Sequence, residues 1–142
     1  MIDFIAHESL TSLNEFGAGI GQYGSETVRV LHENFVYRGY GESGDVKIYT
    51  QGQIKFIDLS VSLKLPIADC VMSFEIGHLI PHHKEGMVIR NLHAHNCKGI
   101  LVSWGSYGEV DLSSSNRHDE EYILEIFTKL GYYNDGLETS RF

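Results

Sequence analysis

Glu15-Phe16-Gly17-Ala18-Gly19-Ile20-Gly21-Gln22-Tyr23-Gly24 is the run in which residue types and spacing point to chemistry. Glycines at 17, 19, 21 and 24 allow a tight turn and remove the Cβ atoms that would hold a ligand off the backbone. Two ligands suit such a turn. Gly19-Ile20-Gly21-Gln22-Tyr23-Gly24 spells the GxGxxG dinucleotide fingerprint, which seats a pyrophosphate on a helix N-terminus. Counted from Glu15, the same run is acid-x-Gly-x-Gly-x-Gly. S-adenosylmethionine has no phosphate and carries a sulfonium and an ammonium, so a carboxylate attracts it and repels a diphosphate. The loop holds no Lys or Arg to meet phosphates, and Glu42, Asp58 and Glu75 follow later apolar segments. S-adenosylmethionine is therefore the expected cofactor, with a nicotinamide dinucleotide as the alternative.

A strand must deliver such a loop and a helix must follow it. Leu13-Asn14-Glu15-Phe16 reads as the strand, and a helical stretch from about Ser25 to Asn34 follows. Phe35-Val36-Tyr37-Arg38-Gly39-Tyr40 is a second strand. Gly41 and Gly44 turn the chain, a weak helix covers Asp45 to Thr50, and Ile54-Lys55-Phe56-Ile57-Asp58 is a third strand ending at an acid. Cys70-Val71-Met72-Ser73-Phe74 is nearly continuously apolar, as in a strand covered on both faces. Pro81 can open a helix running to about His95, and Gly99-Ile100-Leu101-Val102-Ser103-Trp104 is a fifth strand. Tyr122, Ile123, Ile126, Phe127 and Leu130 share a helical face, with Asn116 the expected N-cap and Gly131 the expected stop. This alternation implies right-handed crossovers and a parallel sheet with helices on both faces. In such sheets ligands bind beyond the carboxyl ends of the strands.

Three stretches carry a resemblance to a known family: Glu15 to Gly21; Leu65-Pro66-Ile67-Ala68-Asp69-Cys70-Val71-Met72-Ser73, where an acid precedes the fourth strand; and Lys98-Gly99-Ile100-Leu101-Val102-Ser103, a glycine turn entering the fifth. In content and spacing the chain resembles class I S-adenosylmethionine-dependent methyltransferases from about Leu13 to Tyr132. The resemblance implies a single domain over 1–142, a Rossmann-like doubly wound α/β fold of five mainly parallel strands in the order 3-2-1-4-5, and methyl transfer to an unidentified acceptor. It implies that Glu15, Phe16, Gly17, Ala18, Gly19 and Gly21 hold the methionine end, Glu42 the ribose hydroxyls and Asp58 the adenine amino group. Leu59 and Ser73 complete the cofactor site. Phe74 to His78 would face the methyl group and the acceptor, with Glu75 or His78 as the group that removes a proton where one must leave.

The chain departs from the family pattern in three places. Gly41 stands where an acid is expected and Glu42 comes one residue later; His78 stands where relatives carry the acid of an acid-His pair; and only Tyr132 to Phe142 follow the last helix. That tail is too short for the family's last two strands, so the edge beyond the fifth strand is bare or pairs with a second copy or a partner chain. Two alternatives to the enzyme follow. One is a catalytically impaired methyltransferase-like domain that binds or regulates through a partner; the other is an NAD-dependent oxidoreductase.

The remaining candidates are read more plainly. His82-His83 and His93-Ala94-His95-Asn96-Cys97 are rich in zinc-ligand types but lack a four-ligand spacing, so no metal is expected. Trp104 either lines the acceptor pocket or closes the end of the sheet. A net charge of −8 disfavours nucleic acid, whose binding needs a basic surface. Cys70 and Cys97 have no disulfide or CxxC spacing, the N-terminus lacks the basic start of a signal peptide, and no apolar run reaches the ~20 residues that span a bilayer. A soluble cytoplasmic protein is expected.

Overall fold

Short strands that are apolar on both faces must be covered on both sides, and helical connections supply that cover. The computed structural model describes residues 2–31, 34–105 and 115–134. Its strands are β1 (Ser12–Phe16), β2 (Val36–Gly41), β3 (Ile54–Phe56), β4 (Ala68–Ser73) and β5 (Asn96–Val102). Its helices are α1 (Ile2–His7), α2 (Gln22–Val30), α3 (Val46–Tyr49), α4 (Glu85–Ala94) and α5 (Glu120–Lys129). The strands form one sheet in the order β3-β2-β1-β4-β5, and every pairing is parallel. The expected Rossmann-like topology is therefore present.

Register aligns the carboxyl ends. Phe16 lies beside Tyr40, Gly41 beside Phe56, and Ser73 beside Val102. Alternation along the strands separates two cores. Phe16, Tyr40 and Val71 pack with Leu59, Val88, Leu92, Ile123 and Phe127 beneath α4 and α5. On the opposite face Leu13, Cys70 and Met72 pack with Ile5, Leu10 and Phe35. Ala18, Val46 and Ile54 make a small third cluster under the first loop.

Several boundaries differ from expectation, each for a local reason. The six-residue α1 is too short to show a period, yet Ile5 is buried in the second core. Helix α2 starts at Gln22 rather than Ser25, because Gly21 at φ 83° turns the chain directly into it. Gly24 within its first turn hid that start. Pro81 does not open an α-helix: its extended backbone leads into a 3₁₀ turn over His82–Lys84, and α4 begins at Glu85. Strand β3 ends at Phe56, so Asp58 lies in the following loop. Strand β5 starts three residues early, at Asn96. Asp119, not Asn116, is the N-cap of α5; Asn116 is buried and bonded elsewhere. Gly131 does stop that helix, at φ 94°, with Tyr132 N–H on the Phe127 carbonyl and its own N–H on that of Thr128, the paired bonds of a Schellman ending. The tail expected to lack two strands falls mostly on 135–142, outside the described residues; among those described, β3 and β5 are the two edges of the sheet.

Candidate functional site

The loop after β1 is built from glycine conformations. Gly17, Gly19 and Gly21 have φ of 86°, 54° and 83°, a region that costs any other residue about 1–2 kcal/mol. Gly17 and Ala18 both donate their N–H groups to the Tyr40 carbonyl at 2.8 Å, and Gly21 closes the turn onto the Ala18 carbonyl at 2.7 Å. The loop is thus strapped to the end of β2. The three glycines serve different purposes. A Cβ on Gly17 would lie 2.0 Å from Ile76 Cγ1 and one on Gly21 3.2 Å from Ile54 Cδ1, whereas one on Gly19 meets nothing within 4 Å. Gly19 therefore faces open space. Gly21 caps α2 without a side-chain partner, so the positive end of the helix dipole also faces this loop.

Glu15 lies beneath the loop rather than open in the crevice. It is 3% exposed and on the same sheet face as Leu13, where the Tyr37 hydroxyl donates to its Oε2 at 2.5 Å. Burial raises the carboxyl pKa, and the Tyr37 bond partly opposes the rise; burial and Glu15 together push the phenol up. Two glycines make room for this pair. A Cβ on Gly24 would lie 2.0 Å from Tyr37 Cζ, and one on Gly39 would lie 2.6 Å from Tyr37 Oη. Gly24 is thus a packing glycine, which lets the ring pass between α2 and β2. A cavity of about 400 Å³, lined by Gly21, Ser25, Val28, Tyr37, Gln53 and Ile54, follows this flank of α2; it does not reach the residues after β4 and β5.

The ends of β2 and β3 bring two more acids to the same edge. Gly41 pairs with Phe56 inside the sheet, so the apparent extra residue belongs to β2 and Glu42 is the first residue beyond it. Glu42 is half-buried, accepts the Leu59 N–H at 3.3 Å, and has its pKa raised by burial. Asp58 is exposed; its Oδ1 accepts the Ser60 N–H at 2.8 Å, and the Ser60 contacts hold its pKa low. This is the bonding of an ordinary Asx turn. Phe16 and Leu59 are fully buried core residues, so their contribution at this edge is confined to the backbone. Ser73 is buried at the end of β4, its carbonyl accepting the Ser103 N–H.

Beyond β4 the chain enters strained backbone. Glu75 is exposed with φ 55°, held by Ser103: its N–H donates to Ser103 Oγ at 3.0 Å and its Oε1 accepts from that hydroxyl at 2.6 Å. His78 is 6% exposed, and its Nδ1 accepts the Gly105 N–H at 3.2 Å. That bond fixes the tautomer with the proton on Nε2. Glu75 Oε2 lies 3.7 Å from the same Nδ1, too far for a hydrogen bond, and both atoms are then acceptors. The His78 carbonyl takes the N–H groups of Ser115 and Asn116. His78 thus pins the segments after β4 and β5 together and shows no free lone pair for a base. Trp104 seals this end: a Cβ on Gly77 would lie 2.3 Å from its ring, and its Nε1 donates to the Asn116 carbonyl at 2.8 Å. Residues 106–108, which follow Trp104 and Gly105 in sequence, lie outside the described residues.

The histidine-rich stretches part company. His93 faces Tyr132 Oη, His95 bonds Asn91 O and Leu65 N, and Cys97 lies exposed near Asp69, so they do not converge. His82 instead meets Glu85 and His118, a cluster the sequence reading missed. Its one sequence signal is the i, i+3 spacing of His82 and Glu85; His118 is distant in the chain.

Taken together, a 3-2-1-4-5 parallel sheet with a glycine loop after β1 and acids after β2 and β3 is the class I S-adenosylmethionine-dependent methyltransferase fold. No family model and no curated protein sequence matches the chain. Solved structures do. Magnesium protoporphyrin IX methyltransferase of Synechocystis, with S-adenosylhomocysteine bound, aligns at TM-score 0.71 and 14% identity over 92% of this chain and 69% of that one. An O-methyltransferase family protein of Burkholderia thailandensis aligns at 0.70 and 14%, over 94% and 50%. The O-methyltransferase of a polyketide synthase multienzyme of Brevibacillus brevis, also with S-adenosylhomocysteine, aligns at 0.65 and 14%, over 86% and 47%. The chain thus spans about half of the latter two. Among the described residues no helix is long and apolar enough to cross a membrane.

Proposed function

We propose that this chain binds S-adenosylmethionine along the carboxyl edge of β1, β2 and β3 and transfers its methyl group to an acceptor approaching from the side of β4 and β5. The observation that carries the reading is the open space over Gly19 within a loop whose other glycines are packed. A ligand can lie against that backbone, with its carboxylate toward the uncapped end of α2 and its nucleoside toward Glu42 and Asp58. Those acids suit hydroxyl and amino donors, and no cation in the loop answers a pyrophosphate. The solved structures that share the fold include methyltransferases crystallised with S-adenosylmethionine or its product.

Bound there, the cofactor would supply an electrophilic methyl whose C–S bond breaks as the acceptor's lone pair bonds to carbon. The chain's own contribution is position and exclusion of water. The strap from Tyr40 fixes the loop, and Trp104, packed on Gly77, walls part of the side beyond β4 and β5. His78 is engaged through Nδ1, so acceptors that carry an available lone pair at neutral pH are favoured. Glu75, exposed beside Ser103, remains the group to test where a proton must leave.

The same engagement of His78 supports a second reading, a methyltransferase-like domain that holds the cofactor, or nothing, and acts through a partner, for which the β5 edge offers a place. Calorimetric titration with S-adenosylmethionine, S-adenosylhomocysteine and NAD tests both. Binding of both sulfur nucleosides and not of NAD is expected. Binding of NAD alone would overturn the cofactor reading; binding of none would favour the partner-dependent domain.

A further inference from the structure

We propose that His82, Glu85, His118 and Asn116 form a binding site for a divalent transition-metal ion, between the connection following β4 and the segment that leads into α5. The site involves none of the glycine-loop residues and does not rest on the cofactor reading.

Four atoms with lone pairs converge there from separate parts of the chain. His82 Nδ1 comes from the 3₁₀ turn and Glu85 Oε2 from the first turn of α4, 3.7 Å apart. His118 Nε2 lies 2.6 Å from Glu85 Oε2. Asn116 Oδ1 is 2.9 Å from His82 Nδ1 and 3.0 Å from His118 Nε2. A four-coordinate ion with bonds near 2.0–2.1 Å holds neighbouring ligand atoms about 3.4 Å apart. The observed spacings straddle that value, so entry of an ion requires shifts of under an ångström.

The chemistry of the donors narrows the ion. Two imidazole nitrogens, a carboxylate and an amide oxygen form a borderline set that suits zinc or a neighbouring first-row ion rather than calcium or magnesium, which take oxygen ligands. Outer contacts already hold these donors. The Tyr122 hydroxyl donates to Glu85 Oε1 at 2.7 Å, leaving Oε2 to face the histidines. The Tyr122 ring stacks on His118 at 3.9 Å. Asn116 is 2% exposed, and its Nδ2 reaches the Gly77 carbonyl at 3.4 Å, which turns Oδ1 toward the cluster. Carboxylates and imidazoles that ligate metals are oriented by second partners in this way. The His82 side chain is 70% exposed and gives an ion a path from solvent.

Without an ion the same atoms share protons: the Nε2 proton of His118 must divide between Glu85 and Asn116, and His82 must donate to the oxygen that His118 also addresses. An ion replaces these shared protons with bonds to every donor. It would fasten residues 115–119 to the start of α4, the wall on which Gly77, His78 and Trp104 sit.

Metal-stripped protein titrated with zinc chloride, and separately with cobalt(II), tests the proposal. One equivalent is expected, with a rise in Tm and four-coordinate cobalt d–d bands that lack thiolate charge transfer. His82→Ala, at a largely exposed side chain that the fold tolerates, should weaken zinc at least tenfold without lowering the metal-free Tm. His118→Ala should weaken it further, and Cys97→Ser should change nothing. The proposal is overturned if wild type takes up no ion at micromolar zinc, if His82→Ala binds as wild type does, or if cobalt shows a thiolate band that Cys97→Ser removes.

Discussion

Replacing Gly19 with leucine separates a glycine kept for a ligand from one kept for the fold. Gly19 has φ 54°, and a Cβ there meets no atom within 4 Å. Backbone strain alone then opposes the substitution, about 1–2 kcal/mol, which for a domain of this size lowers Tm by roughly 2–8 °C. The leucine side chain would project into the space where the proposed cofactor lies on the backbone. Affinity for S-adenosylhomocysteine should fall at least about 100-fold, a loss of about 2.7 kcal/mol, and the Tm rise that the ligand gives wild type should vanish. Gly17→Ala should do the reverse in kind. Its Cβ would overlap Ile76 at 2.0 Å with φ 86°, so strain and overpacking together cost about 2–5 kcal/mol and the protein should express poorly or melt far lower. Differential scanning fluorimetry with calorimetry measures both. Full cofactor affinity in a folded Gly19→Leu would refute the reasoning, because the pocket would then lie elsewhere.

Two further outcomes follow from burial. The Glu15 carboxyl is raised by desolvation, so the folded state holds its proton more tightly than the unfolded chain. Its stabilising contribution is complete below the ordinary carboxyl pKa and lost as pH rises through the raised one. Glu15→Gln should therefore gain Tm relative to wild type as pH climbs from about 4 to about 8; an advantage that does not grow with pH would show the carboxylate to be well solvated. Burial also pushes the Cys70 thiol up to about 12, whereas Cys97 is exposed. A disulfide reagent such as Ellman's should titrate one thiol in native protein and both in denaturant, and rapid reaction of two would place Cys70 outside the core.

The order of the sheet was legible because parallel strands between helical layers are apolar on both faces, and glycines and prolines bound them. Leu65 to Pro66 lead into β4, whereas Lys98-Gly99, the expected turn into the fifth strand, lies inside β5. Boundaries were less legible where backbone conformation outweighs residue pattern. Nothing in the run from Pro81 distinguishes a 3₁₀ turn followed by an α-helix from a single helix, and Asn116 has the residue type of a cap while its side chain is committed to Gly77 and two histidines.

Within the site, the sequence identified the loop but not the direction of its side chains. Glu15 was placed in the crevice on charge, yet its face of the sheet is set by strand parity and its partner Tyr37 stands on the neighbouring strand, above Gly39 and against Gly24. Such pairing is long-range, and a glycine that admits a ring looks in sequence like one that admits a ligand. The structure therefore removes Glu15 from direct contact with a cationic ligand. A carboxyl raised by burial and bonded to a phenol sits under a loop strapped to β2, not in the open crevice. The acids at the ends of β2 and β3, where the proposed nucleoside would lie, are Glu42 and Asp58. Glu42 became legible once β2 was seen to include Gly41, where a Cβ would lie 3.0 Å from Val46. The residue that departs from the family pattern in sequence is, in space, a strand residue at which a Cβ would press on the Val46 side chain, and the acid is the first residue beyond it.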